Sequence, residues 1–145
     1  MRALQVGALS LLVMGAAACA PTRKSAAGFH LPDGDPQRGR QVFVDLRCHA
    51  CHQVTGMDDL PAPLTEPPVV LGGVVYRVFT DGELTAAIVD PSHRLAPPYP
   101  AAAVTSGKLS RMGDQNEQMT VRQLVDVVAF LQSRYDVREP EMPYR

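Results

Sequence analysis

Apolar positions along the chain gather into three patterned stretches separated by proline-rich runs. The clearest is near the C-terminus, where Val121, Leu124, Val125, Val128 and Leu131 recur at i, i+3, i+4, i+7 spacing. That is the stripe of an amphipathic helix. Arg122, Gln123, Asp126 and Arg134 fall largely outside the stripe, on its polar side. Thr120 with Gln123 three residues on forms a capping box, which predicts a helix from there to about Arg134 or Tyr135. A second capping box, Thr80 with Glu83, precedes Leu84, Ala87 and Ile88 at helical spacing, and Asp90-Pro91 ends that helix. The third helix opens at Asp35, a capping residue, with Pro36 at the first helical position, and runs through Val44. Gly39 inside it costs up to ~1 kcal/mol relative to alanine, a cost explained if another helix approaches closely there. Phe43, four residues on and on the same face, belongs in the core.

The segments between are of a different kind. Gln53 to Pro68 reads as loop, because Pro61, Pro63, Pro67 and Pro68 exclude regular helix. Val69 to Val78 is apolar and β-branched, interrupted by Gly72-Gly73. No partner strand is evident for it, so it reads as an extended wrapping segment. Ser92 to Asn116 is a long loop carrying Pro97, Pro98 and Pro100, or alternatively a loop that is partly helical near 100–104. Loops of that length in a compact domain are usually functional.

The first residues read as an address rather than as fold. Arg2 is followed by a mostly apolar run from Leu4 to Met14, too short for a span that needs ~20 residues. With Gly15-Ala16-Ala17-Ala18 behind it, the run fits a signal peptide over 1–18. One cleavage falls after Ala18-Cys19-Ala20; its drawback is the proline that would follow. The other resembles a bacterial lipoprotein box, in which Cys19 is lipidated and becomes the first mature residue. Acyl chains at ~0.8 kcal/mol per buried CH₂ would then hold the chain on a membrane. Residues 19–32 form an anchor and tether, 33–136 one domain, and 137–145 an extended tail. His30 lies in the tether as an exposed histidine. The expected location is the periplasm, tethered to a membrane through Cys19.

Composition narrows the rest. The chain has 145 residues and a formal net charge of −1, which offers no basic footprint for nucleic acid. Its three cysteines are too few for a disulfide scaffold, since Cys19 lies in the leader. Cys48 and Cys51 remain, in the run Cys48-His49-Ala50-Cys51-His52. A Cys-x-x-Cys alone would suit a redox dithiol or half a zinc site, but no second pair completes a zinc site. With the trailing His52 the run is the attachment signature of c-type haem. The two thiols add across the haem vinyl groups and His52 ligates the iron.

The short helix with Gly39 and Phe43 running into Cys48-His49-Ala50-Cys51-His52 resembles the class I c-type cytochromes. The resemblance implies an all-α cytochrome c fold, three main helices wrapped around one covalently attached haem c. It implies that the C-terminal helix crosses the first at its glycine, with Phe130 nesting on Gly39. It implies that a proline carbonyl receives the second ring N–H of His52. Pro68, in Pro68-Val69-Val70-Leu71-Gly72, is the first candidate and Pro63 the second. Arg77 is the candidate partner of a haem propionate. The distal loop of the family often reads Met-Pro. Here Met112 is followed by Gly113, making Met112 the expected sixth ligand on a less rigid loop. His93, which would give a bis-histidine iron of lower potential, is the rival; Met119, Met57 and Met142 are further competitors. A haem with both axial positions filled implies a one-electron carrier working between redox donor and acceptor proteins. The competing readings are a haem subunit of a dehydrogenase- or peroxidase-type enzyme, and a sensor in which Met112 yields to CO or NO.

Overall fold

The computed structural model describes residues 29–95 and 99–140. The leader, Cys19, most of the tether and Met142 lie outside the described residues. Helix α1 runs Pro36–Asp45, α2 Asp81–Val89, α3 Ala101–Val104 and α4 Val121–Gln132. All three anticipated helix starts form as written in the sequence. The Asp35 side chain accepts from Gln37 and Arg38 N–H, with Pro36 in the first turn. Thr80 and Glu83, and Thr120 and Gln123, make complete capping boxes. Helix α4 stops at Gln132, short of expectation, where Ser133 N–H donates to the Ala129 carbonyl and Arg134 N–H to the Leu131 carbonyl in a closing turn. The additional short helix α3 follows Pro100, where partial helicity was the alternative to loop.

The core is the crossing of α1 over α4. Phe43, Val127, Val128, Phe130 and Leu131 are buried there, and Phe43 meets Phe130 edge-to-face with ring centroids 5.6 Å apart. Edge-to-face pairs of this kind add ~0.5–1.5 kcal/mol beyond area burial. Gly39 sits where the axes come closest. A Cβ there would lie 1.9 Å from the Asp126 carbonyl oxygen and 2.7 Å from the Phe130 Cβ. The glycine tolerated inside α1 is thus the contact with Phe130 that the sequence suggested.

Asp126 departs from expectation. Placed on the polar side of α4 by the stripe, it is instead buried at 2 % exposure. Its Oδ1 accepts from Asp35 N–H at 2.8 Å, and its Oδ2 accepts from Arg38 Nε at 2.9 Å. The stripe alone treats every charged side chain as solvent-facing. It does not anticipate a partner on the crossing helix that satisfies the charge.

The expectation of an all-α domain with three main helices needs correcting on two counts: a fourth, short helix, and strands. Val69–Leu71 (β2) pairs in parallel with His52–Val54 (β1), with Val69 opposite His52. Gly73–Val75 (β3) pairs in parallel with Tyr135–Val137 (β6), and Thr105–Ser106 (β4) with Leu109–Ser110 (β5) in an antiparallel hairpin. The break at Gly72-Gly73 explains why one apolar run finds two partners. Both residues have positive φ, +77° and +84°, a region costly for residues with a Cβ. The chain turns there from the β1 edge to the segment after α4. The first residue of the anticipated tail, Val137, is therefore strand.

Candidate haem site

The thiols enter the site through a tight reversal. Arg47 adopts a left-handed backbone at φ 58°, ending α1 and starting the 3₁₀ turn Cys48–Ala50. Cys48 and Cys51 form no disulfide. Burial pushes the Cys48 thiol upward, and the neighbouring Cys51 adds to that. The next residue, His52, opens β1.

Two adjoining cavities lie beside this turn. The wider measures about 480 Å³ and is walled by Cys51, His52, Val69, Ala87 and Met112, among others. The inner one measures about 90 Å³ and is walled by Cys48, His52, Leu84, Ile88, Met112 and Leu131, among others. His52, Leu71, Ala87 and Met112 line both, so the two are halves of one slot. Combined, they fall in the size range of cofactor sites, ~300–1,000 Å³. The inner half is apolar apart from Gln115 and the His52 ring.

His52 is the group most altered by its surroundings. Burial pushes its pKa below the ordinary histidine value, opposed by the Val69 backbone. A depressed pKa favours the neutral imidazole, the form that ligates a metal. Its Nδ1 is buried with no hydrogen-bond partner of good geometry. Pro68, whose carbonyl was the expected acceptor, lines neither half of the slot. The backbone that acts on the ring is that of Val69, one residue later, because β2 sets Val69 opposite His52.

Met112 is half-buried and packs against the core. It follows the β4–β5 hairpin, and its N–H donates to Ser110 Oγ at 3.1 Å. Gly113 beside it has open space around its Cα. The hairpin, rather than a proline, supplies order to this loop. Among the rivals, His93 is exposed and lines neither half of the slot. Met57 is drawn to Arg134, whose Nη1 lies 3.4 Å from its sulfur. Met119 lines only the inner half.

Arg77 is engaged elsewhere. It pairs with Glu83 at 3.0 Å, and its guanidinium lies 3.8 Å over the Phe79 ring. The arginines that line the wider half are Arg94 and Arg111, which sequence reasoning did not single out. Arg94 is held by Glu83 at 3.2 Å, and Arg111 donates Nε–H to the Thr105 carbonyl at 2.9 Å. Nothing in their local sequence marks them. Only the path of the long loop brings them to the cavity.

A slot with a thiol pair on its rim, one buried imidazole and one thioether in its wall suits a tetrapyrrole attached through its vinyl groups. The buried His52 imidazole in the wall of both halves and the apolar inner half fit haem better than a bare ion. Among the described residues no cluster of three or more His, Cys, Asp or Glu side chains could hold a metal alone. These features define a c-type haem domain. The family model described as Cytochrome c matches residues 36–134, most of the chain, and the chain belongs to that family. Proteins of this family bind haem c covalently and work in electron transfer with redox partner proteins. No curated protein and no solved structure matches the chain.

Proposed function

We propose that this chain is a monohaem electron carrier whose haem c is attached at Cys48 and Cys51 and ligated by His52 and Met112. We further propose that it is exported by residues 1–18 and tethered to a membrane through lipidated Cys19. The haem supplies a reversible one-electron Fe(III)/Fe(II) couple. The chain's own groups do the rest. Cys48 and Cys51 fix the position of the ring edge, and the β1–β2 pairing holds the His52 imidazole in place. The Met112 thioether, a soft ligand, favours the reduced state relative to a second imidazole. Leu84, Ile88 and Leu131 keep water from the inner half, and Arg94 and Arg111 stand where they can balance the carboxylates of the ring. The partners are a donor and an acceptor protein of the exported compartment.

The observation that carries this reading is that, among the described candidate ligands, His52 and Met112 alone line both halves of the slot. The purified ferric holoprotein is expected to show a low-spin spectrum with a methionine–iron charge-transfer band. Met112→Ala should abolish that band and lower the potential, while His93→Ala should preserve both. A vacant iron site in the wild type, or a band lost in His93→Ala, would refute the ligand set. Hydrogen peroxide turnover or rapid CO binding by the wild type would favour the enzyme or the sensor instead.

A further inference from the structure

The arm that carries Met112 is a hydrogen-bonded unit of its own. From Tyr99 it passes through α3 and the β4–β5 hairpin. Ala103 N–H donates to the Pro100 carbonyl at 2.8 Å, Thr105 Oγ1 to the Ala101 carbonyl at 2.7 Å, and Arg111 N–H to the Val104 carbonyl at 2.8 Å. Little of this arm is buried. Ala101, Ala102, Leu109 and Arg111 are exposed, and no residue from Tyr99 to Met112 belongs to the buried core. Closure of the arm over the slot therefore depends on a few attachments. One runs to the segment after α2, where Ser110 N–H donates to Ser92 Oγ at 3.1 Å.

The other attachment runs to the strand pair at the edge of the slot. Val70 N–H donates to the Tyr99 hydroxyl oxygen at 2.7 Å. Val70 is the middle residue of β2, paired with Gln53 beside the His52–Val69 pair. Among the described residues this is the only hydrogen bond joining the arm to the strands that carry His52 and its neighbour. The arm bearing one proposed axial ligand is thus tied to the strand pair bearing the other.

We propose that Tyr99 is a positioning residue whose hydroxyl cross-ties the methionine arm to the histidine strand pair and keeps the slot closed. This rests on Met112 as the sixth ligand. Beyond Met112, Asn116 Nδ2 donates to the Val89 carbonyl at 3.0 Å, and at the other end of the arm the Tyr99 hydroxyl restrains it. Segments with few buried contacts open locally without global unfolding. A single net hydrogen bond changes such an opening equilibrium by roughly two- to tenfold. Breaking the cross-tie should expose the iron to outside ligands without altering any group that touches it.

Tyr99→Phe in the full-length holoprotein tests this, since the ring is retained and only the hydroxyl is lost. Imidazole is the probe for displacement of the sulfur from the ferric protein, and amide exchange at Val70, Ser110 and Arg111 reports on the arm directly. The variant is expected to bind imidazole roughly two- to tenfold more tightly and to exchange these amides faster by a similar factor. Its global unfolding midpoint should stay close to the wild type. Unchanged imidazole affinity with unchanged arm exchange would overturn the proposal. So would a fall in global stability that accounts for both changes. A wild type without the methionine–iron band would remove the Met112 ligation but leave the amide readout to decide whether Tyr99 holds the arm.

Discussion

Gly39→Ala is the sharpest test of how the haem slot is built. On an isolated helix the change would stabilise by about 1 kcal/mol. Here the added Cβ would stand 1.9 Å from the Asp126 carbonyl oxygen and 2.5 Å from its carbon. Neither atom can rotate away, because both are backbone in the middle of α4. Reaching ordinary contact at 3.4 Å requires α1 and α4 to part by about 1.5 Å. A gap of 0.5–1 Å already forfeits about a quarter to a half of each dispersion contact. The side chains across this seam include Phe43, 1 % exposed, and Phe130, 3 % exposed. Losing part of what a full Phe→Ala removal costs, ~3–5 kcal/mol, outweighs the propensity gain. The expected net loss is about 2 kcal/mol. With a guanidinium m-value of ~3 kcal/mol/M, the unfolding midpoint falls by about 0.7 M. Chemical denaturation of the holoprotein followed by far-UV circular dichroism measures it. Gly113→Ala, where a Cβ meets nothing within 4 Å, is the matched control and should shift stability by no more than about 0.5 kcal/mol. A Gly39→Ala midpoint equal to or above the wild type would refute the close-approach argument.

Four further substitutions probe charge. The Asp126 carboxyl is held below its ordinary value of 3.8, chiefly by the hydrogen bond from Arg38, against the opposing effect of burial. A carboxylate whose folded pKa is depressed stabilises the fold above its unfolded pKa, and that contribution is lost as pH falls through the folded value. Asp126→Asn should therefore cost about 1–2 kcal/mol near pH 7, kept modest because Arg38 is more than half exposed, and the gap from wild type should close below about pH 4. Urea midpoints across that range would check it, and a gap that widens in acid would sink it. At the slot, Arg94→Gln and Arg111→Gln should each lower the reduction potential by about 20–40 mV through the loss of ~0.5–1 kcal/mol of electrostatic work on the ferric charge. Arg77→Gln should lower it less, and spectroelectrochemistry showing the largest shift in Arg77→Gln would restore the sequence-based choice.

Much of this protein was legible in local sequence, and the reason is local chemistry. Capping depends on a side chain three residues away, so Asp35, Thr80 and Thr120 announce their helices without any knowledge of the fold. The run from Cys48 to His52 declares covalent haem because attachment and ligation need those groups at fixed short spacing. The glycine-for-packing reading of Gly39 held for a similar reason: an interior helical glycine has a cost that some close neighbour must offset. What sequence could not show are relations between segments far apart in the chain. Asp126 looks like a surface residue until α1 brings Arg38 and the Asp35 amide across it. Val69–Val75 looks like an unpaired run until β1 on one side and β6 on the other supply its hydrogen bonds. Arg94 and Arg111, not Arg77, reach the slot because the path of a 25-residue loop, not its composition, carries them there. Met112 was singled out as the candidate sixth ligand by its position in the chain. That its arm is tied through Tyr99 to the strand beside His52 was decided only by the tertiary structure, because the two partners, 29 residues apart, share no local pattern.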